Sequence, residues 1–80
     1  MDKWQEHIRR RLVGAGIKGL TQKEISVATI WMRKKANVST EQMTNYLIEL
    51  AQEDLVQRFT VKNKTIWRAT TKMLEKKDVS

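Results

Sequence analysis

Apolar residues recur at helical spacing along the first stretch of the chain. Trp4, Ile8, Leu12 and Ala15 share one face, which predicts a helix from Asp2 to Val13. Asp2 stands where a cap belongs, with Gln5 three residues on, and Gly14, Gly16 and Gly19 break the pattern. The next two helix starts are marked more strongly. In Thr21-Gln22-Lys23-Glu24 the threonine accepts from the Glu24 amide while the glutamate reaches back, a reciprocal capping box flanked by Leu20 and Ile25 as its apolar staple. Ser39-Thr40-Glu41-Gln42 repeats the device between Val38 and Met43. Helices are therefore expected over residues 21–35 and 39–53. The second is apolar on two sides, Ile25-Ala28-Met32 and Val27-Ile30-Trp31, which predicts a position between the other two. The third turns Met43, Tyr46, Leu47, Leu50 and Ala51 inward, and Glu41, Asn45, Ile48, Glu49 and Gln52 outward.

From Leu55 the period changes to two. Leu55, Gln57, Phe59 and Val61 share a face, as do Thr65, Trp67 and Ala69, with the polar Lys62-Asn63-Lys64 between. This predicts a β-hairpin with a three-residue loop that sets Phe59 opposite Trp67. The fold class is mainly α with a small β-hairpin, α+β in type. Residues 1–72 form one domain and 73–80 a short basic tail, whose Met73 and Leu74 make either a helical turn or a frayed end.

Three helices and a terminal hairpin resemble a winged-helix domain with a C-terminal wing. The stretch Gln42-Met43-Thr44-Asn45-Tyr46-Leu47 is similar to the recognition helix of short winged-helix regulators. Leu50 through Leu55-Val56-Gln57-Arg58 resembles their passage into the wing, and Thr65-Ile66-Trp67-Arg68 the returning strand. The chain resembles small enterobacterial fimbrial regulators, basic proteins of similar size that act on DNA. That family's second helix is short, whereas 21–35 is long. The resemblance implies a transcriptional regulator that lays its third helix in the major groove and its wing on phosphate.

Charge agrees with that implication. Sixteen Lys and Arg against nine Asp and Glu leave +7 on 80 residues, an excess suited to a polyanion. The cations are uneven: residues 55–72 hold Arg58, Lys62, Lys64, Arg68 and Lys72 with no acid, and Arg33, Lys34 and Lys35 cluster at the end of the second helix. The third helix is acidic, with Glu41, Glu49, Glu53 and Asp54. The expected nucleic-acid contacts are Gln42, Thr44 and Asn45 for bases, and Arg33, Lys34, Lys35, Arg58, Lys62, Asn63, Lys64 and Arg68 for the backbone. Two other readings stay open: an adaptor that docks protein on the acidic third helix around Ile48, and an RNA-binding module. Arg9-Arg10-Arg11 adds a basic run in which Arg9 and Arg10 are expected outside and Arg11 toward the core. A protein partner or homodimer, through the first helix and the tail, is compatible with this surface.

Other chemistry finds little footing. No cysteine is present and His7 is the only histidine, so no metal site is expected. Gly14-Ala15-Gly16-Ile17-Lys18-Gly19 matches a dinucleotide fingerprint in letters, but it follows a helix instead of a strand. No aligned nucleophile and base appear, so neither an enzyme, a cofactor nor a small-molecule substrate is expected. Apolar runs are too short for a membrane span and the N-terminus lacks a signal-peptide core, pointing to the cytoplasm, or the nucleoid in a bacterium. Trp4 and Trp67 are expected in the core; Trp31 is left open between core and base stacking.

Overall fold

The computed structural model describes residues 2–77. Helix α1 (Lys3–Ala15) leads through a 3-10 turn (Gly16–Lys18) to a two-residue strand β1 (Leu20–Thr21). Helices α2 (Gln22–Ala28), α3 (Ile30–Ala36) and α4 (Thr40–Gln52) follow, then strands β2 (Val56–Val61) and β3 (Lys64–Ala69) and helix α5 (Thr71–Lys77). The strands form one antiparallel sheet in the order β1-β3-β2.

Both capping boxes form as their sequences require. Thr21 Oγ1 accepts from the Glu24 amide at 3.0 Å and Glu24 Oε1 from the Thr21 amide at 2.9 Å. Ser39 and Gln42 exchange the same bonds at 3.1 and 2.8 Å. The expected single helix over 21–35 is interrupted at Thr29, where α2 ends and α3 begins. Thr29 Oγ1 donates back to the Ile25 carbonyl at 2.9 Å, a bond that competes with regular helix geometry. The helix pair does not lie between the other two. Only the side carrying Ile25, Thr29 and Arg33 is buried, and Val27, Ile30 and Trp31 face out.

The hairpin forms in a different register from the one expected. Its turn is two residues, Lys62 and Asn63, both left-handed with φ of 50° and 65°, the conformation that matches strand twist. Arg58 therefore opposes Trp67, and Phe59 opposes Ile66. The strand β1 was not expected at all. It pairs Leu20 with Trp67 and Thr21 with Ile66. Gly19 permits this approach: its φ is +70°, and a Cβ there would sit 2.6 Å from the Trp67 carbonyl oxygen.

The core joins Trp4, Ile8 and Leu12 of α1 to Ile25, to Met43, Tyr46, Leu47 and Leu50 of α4, and to Leu55, Val56 and Trp67. Trp4 meets Tyr46 edge-on at 5.3 Å between ring centroids. Arg9, expected outside, donates from Nε to Tyr46 Oη at 2.9 Å, while Arg11, expected toward the core, is exposed. Arg10 is exposed and pairs with Glu6. Ile48 is half-buried against the core instead of facing water, because the α4 stripe is wider than a strict wheel allows. Met73, placed in the tail by the sequence pattern, is 3% exposed in that core. The anticipated boundary at residues 72 and 73 thus falls inside α5, and residues 78–80 of that tail lie outside the described residues. Thr70 Oγ1 donates to the Asp54 carbonyl at 2.6 Å and Lys72 Nζ to the Glu53 carbonyl at 2.9 Å, fastening α5 to the end of α4.

Candidate nucleic-acid interface

Ser39 starts α4 at the surface, and the first turn carries Thr40, Glu41 and Gln42 outward. Gln42 is exposed, but its carbonyl oxygen is held by the Ser39 amide, leaving its NH2 group to an outside partner. Asn45, one turn on, is exposed with no hydrogen bond from its side chain among the described residues. Thr44 is half-buried. It donates to the Thr40 carbonyl at 3.0 Å and accepts from Gln22 Nε2 at 2.6 Å. The same Gln22 accepts from Trp67 Nε1 at 2.7 Å. One glutamine at the start of α2 thereby fixes α4 relative to β3. The sequence pattern missed it, because a polar residue after a capping threonine reads as solvated.

Beside this junction lies a groove of about 450 Å³, lined by Thr21, Gln22, Lys23, Ser26, Val27, Thr40, Lys64 and Thr65. Lys23 from α2 and Lys64 from β3 stand on it together, and only Lys64 had been expected there. At the wing tip Lys62 and Asn63 are exposed. The two wing arginines diverge: cross-strand pairing puts Arg58 on the face of Trp67 and Arg68 on the face of Gln57. Arg58 is exposed, its guanidinium 5.7 Å from the Trp67 ring centroid. Arg68 is half-buried, 5.3 Å from the Phe59 ring and bonded to Gln57 Oε1 at 2.6 Å.

The cluster at the end of α3 separates into different environments. Lys34 Nζ lies 5.2 Å from the exposed Trp31 ring, and Lys35 is exposed. Neither lines the groove. Arg33, expected to meet a phosphate, is 6% exposed. Its Nε donates to Thr29 Oγ1 at 3.0 Å, and Nη2 to the Ser26 carbonyl and hydroxyl at 2.9 and 3.0 Å. Nη1 reaches Thr40 Oγ1 at 3.5 Å. A guanidinium with this many short polar chains in reach folds inward, which a charge count along the sequence does not reveal.

Among the described residues the one ion pair is Arg10–Glu6. Lys23, Arg58, Lys62 and Lys64 thus keep their charge uncompensated by a contacting carboxylate. Glu24, next to Lys23, has its carboxyl held below the usual range by the Thr21 backbone and side-chain hydrogen bonds, so it stays ionised. No three His, Asp or Glu side chains gather at metal-binding distance among the described residues. No described helix is long and apolar enough to cross a membrane.

No protein-family model and no curated protein sequence matches the chain. Solved structures do. The chain superposes on MepR of S. aureus in its DNA complex with a TM-score of 0.73 at 20% identity, over 96% of this chain and 59% of that one. A MepR point mutant from a multidrug-resistant S. aureus clinical isolate gives 0.71 at 22% identity, over 96% and 52%. The fold is a winged helix. In it α4 is followed by the β2–β3 hairpin, the order of elements that the resemblance implied. The chain spans little more than half the length of these MepR chains.

Proposed function

We propose that the protein is a DNA-binding regulator that places the first turns of α4 in the major groove. Phosphates then meet the groove of Lys23 and Lys64 and the wing tip at Lys62 and Asn63. The observation that carries this reading is the convergence of Lys23 and Lys64 beside Thr40, in the first turn of α4, with no contacting carboxylate among the described residues. The similar MepR structure is a complex with DNA, which supports the same partner here.

The acids of α4 fit this placement. Thr40 to Glu53 spans about 20 Å at 1.5 Å per residue, more than twice the Debye length of about 8 Å in physiological salt. Glu53 and Asp54 therefore repel phosphates near the first turn only weakly, whereas Glu49, one turn beyond Asn45 and about 6 Å along the axis, opposes binding. Glu41 sits in the first turn, is exposed and also opposes binding. Asn45 is the adenine reader, its bidentate pair worth about 1–3 kcal/mol of discrimination, and Gln42 adds a single bond donated from its NH2 group. Arg58 supplies a further phosphate contact, and Lys34 and Lys35 lie outside this footprint. A mobility-shift competition tests the reading: labelled duplex DNA is displaced by unlabelled duplex DNA and not by an RNA duplex of the same sequence. Equal competition by RNA moves the function to RNA, and no shift at about 50 mM salt, where phosphate contacts are strong, overturns it.

A further inference from the structure

The outer side of α2 and α3 carries apolar surface that the fold does not use. Val27 is 63% exposed, Ile30 44% and Trp31 73%. Helical bonding continues across the break, from the Thr29 amide to the Ile25 carbonyl at 3.2 Å and from the Arg33 amide to the Thr29 carbonyl at 2.9 Å. Residues three and four apart consequently stay on one side, and Val27, Ile30 and Trp31 make one patch. Its rim is cationic. Lys34 stands over the Trp31 ring, Lys35 follows on the same short helix, and Val27 borders a shallow pocket of about 310 Å³ shared with Arg11, Lys23 and Glu24. Helix α3 itself, Ile30–Ala36, has no acid.

We propose that this face is a docking surface for a protein segment carrying both acidic and apolar side chains, as an amphipathic acidic helix does. The chemistry of the patch separates this occupant from others. Duplex DNA in the Lys23–Lys64 groove would reach Val27 at its margin and satisfy the lysines, but offers nothing to cover Ile30 and Trp31. Helices that lie on anionic bilayers present a long apolar face, and the exposed large apolar side chains of α2 and α3 are Val27, Ile30, Trp31 and Met32, spread over six residues. A second copy packed symmetrically would oppose Lys34 and Lys35 with the same cations. An acidic amphipathic helix meets both requirements: its apolar side covers the tryptophan, the residue type most often dominant at protein interfaces, and its carboxylates meet the lysine rim. The surface differs from the acidic α4 face expected from the sequence to hold a protein partner, since Ile48 there is committed to the core.

The proposal does not depend on DNA binding, and it is tested separately. A displayed library of helical peptides is selected on the immobilised 80-residue chain, and a recovered peptide is titrated while tryptophan emission is read. Trp4 and Trp67 are buried at 5% and 1% exposure, so a shift toward blue reports Trp31. The expected result is recovery of peptides rich in Asp or Glu with apolar residues at helical spacing. Compared across variants by the anisotropy of a dye on the peptide, their binding should weaken more than about tenfold with Trp31→Ala, weaken with Lys34→Glu/Lys35→Glu, and fall with salt. Trp31→Ala should keep the wild-type melting temperature and DNA affinity. The proposal is overturned if no peptide is recovered, or if the recovered peptides bind Trp31→Ala and Val27→Asp as well as wild type. It is also overturned if Trp31 emission answers instead to phosphatidylserine vesicles or to rising protein concentration.

Discussion

Replacing Arg33 by methionine separates a buried clamp from a phosphate contact. The wild-type guanidinium ties Ser26 of α2, Thr29 at the break and Thr40 of α4, so it sets the angle at which α4 leaves α3. Hydrogen bonds to a charged group are worth about 1.5–3 kcal/mol each. Three of the contacts lie at or below 3.0 Å, and the fourth, at 3.5 Å, counts for little. Much of that sum is returned in the variant. The hydroxyls can turn to other acceptors, as Thr29 Oγ1 already does toward Ile25, and a charge no longer has to be desolvated. The Ser26 carbonyl loses its short bond and keeps only the Thr29 hydroxyl at 3.4 Å. We expect a net loss of about 2–3 kcal/mol, a large share of the 5–15 kcal/mol typical of a domain. At about 4–8 °C per kcal/mol for this size, the melting temperature should fall by roughly 10–20 °C. Arg33→Lys keeps the charge without the planar fork and should fall between. Circular dichroism melts measure the loss, and DNA titration across salt measures the contact. A melting temperature within about 2 °C of wild type would refute the clamp. A salt slope reduced by about one unit would place the guanidinium on a phosphate after all.

Other perturbations follow from equally local features. Gly19→Ala combines a φ of +70° with a Cβ 2.6 Å from the Trp67 carbonyl, and should cost about 2–4 kcal/mol in urea denaturation by detaching β1. Folding lowers the Glu24 pKa, so its contribution is complete above the unfolded-chain value of about 4.3 and disappears as pH falls through the folded one. The melting temperatures of wild type and Glu24→Gln should accordingly differ at pH 7 and converge near pH 3; a gap that persists at acid pH would show another cause. Glu41→Gln removes the one acid in the first turn of α4 and should tighten DNA binding at low salt, with a diminishing gain as salt rises. Unchanged affinity at low salt would place that turn away from phosphate.

Much of this architecture is written in short local signals. Thr21 with Glu24 and Ser39 with Gln42 mark helix starts because a capping box satisfies amides within four residues and owes nothing to the rest of the fold. The core faces of α1 and α4 were readable from period alone. Errors arose where tertiary contact decided the outcome. Two left-handed residues at Lys62 and Asn63 shortened the turn and moved the hairpin register by one, although neither residue is glycine. Strand β1 is two residues long and exists only because Gly19 lets the chain approach β3. Charge was the least transparent signal. Arg33 and Arg9 look solvated in the sequence and are spent on Thr29 and Tyr46, whereas Lys23, hidden inside a capping box, stands on the groove. Trp31 was ambiguous because the break at Thr29 leaves one stripe of the helix pair without a neighbour.

The most direct test of a duplex-binding winged helix is the slope of log binding constant against log salt concentration. If Lys23, Arg58, Lys62 and Lys64 each neutralise one phosphate, the slope on duplex DNA should be about −3 to −4, and Lys62→Ala/Lys64→Ala should flatten it by about two units. A slope near zero, or one that the double substitution leaves unchanged, would contradict the assignment of the wing and the Lys23–Lys64 groove to the phosphate backbone.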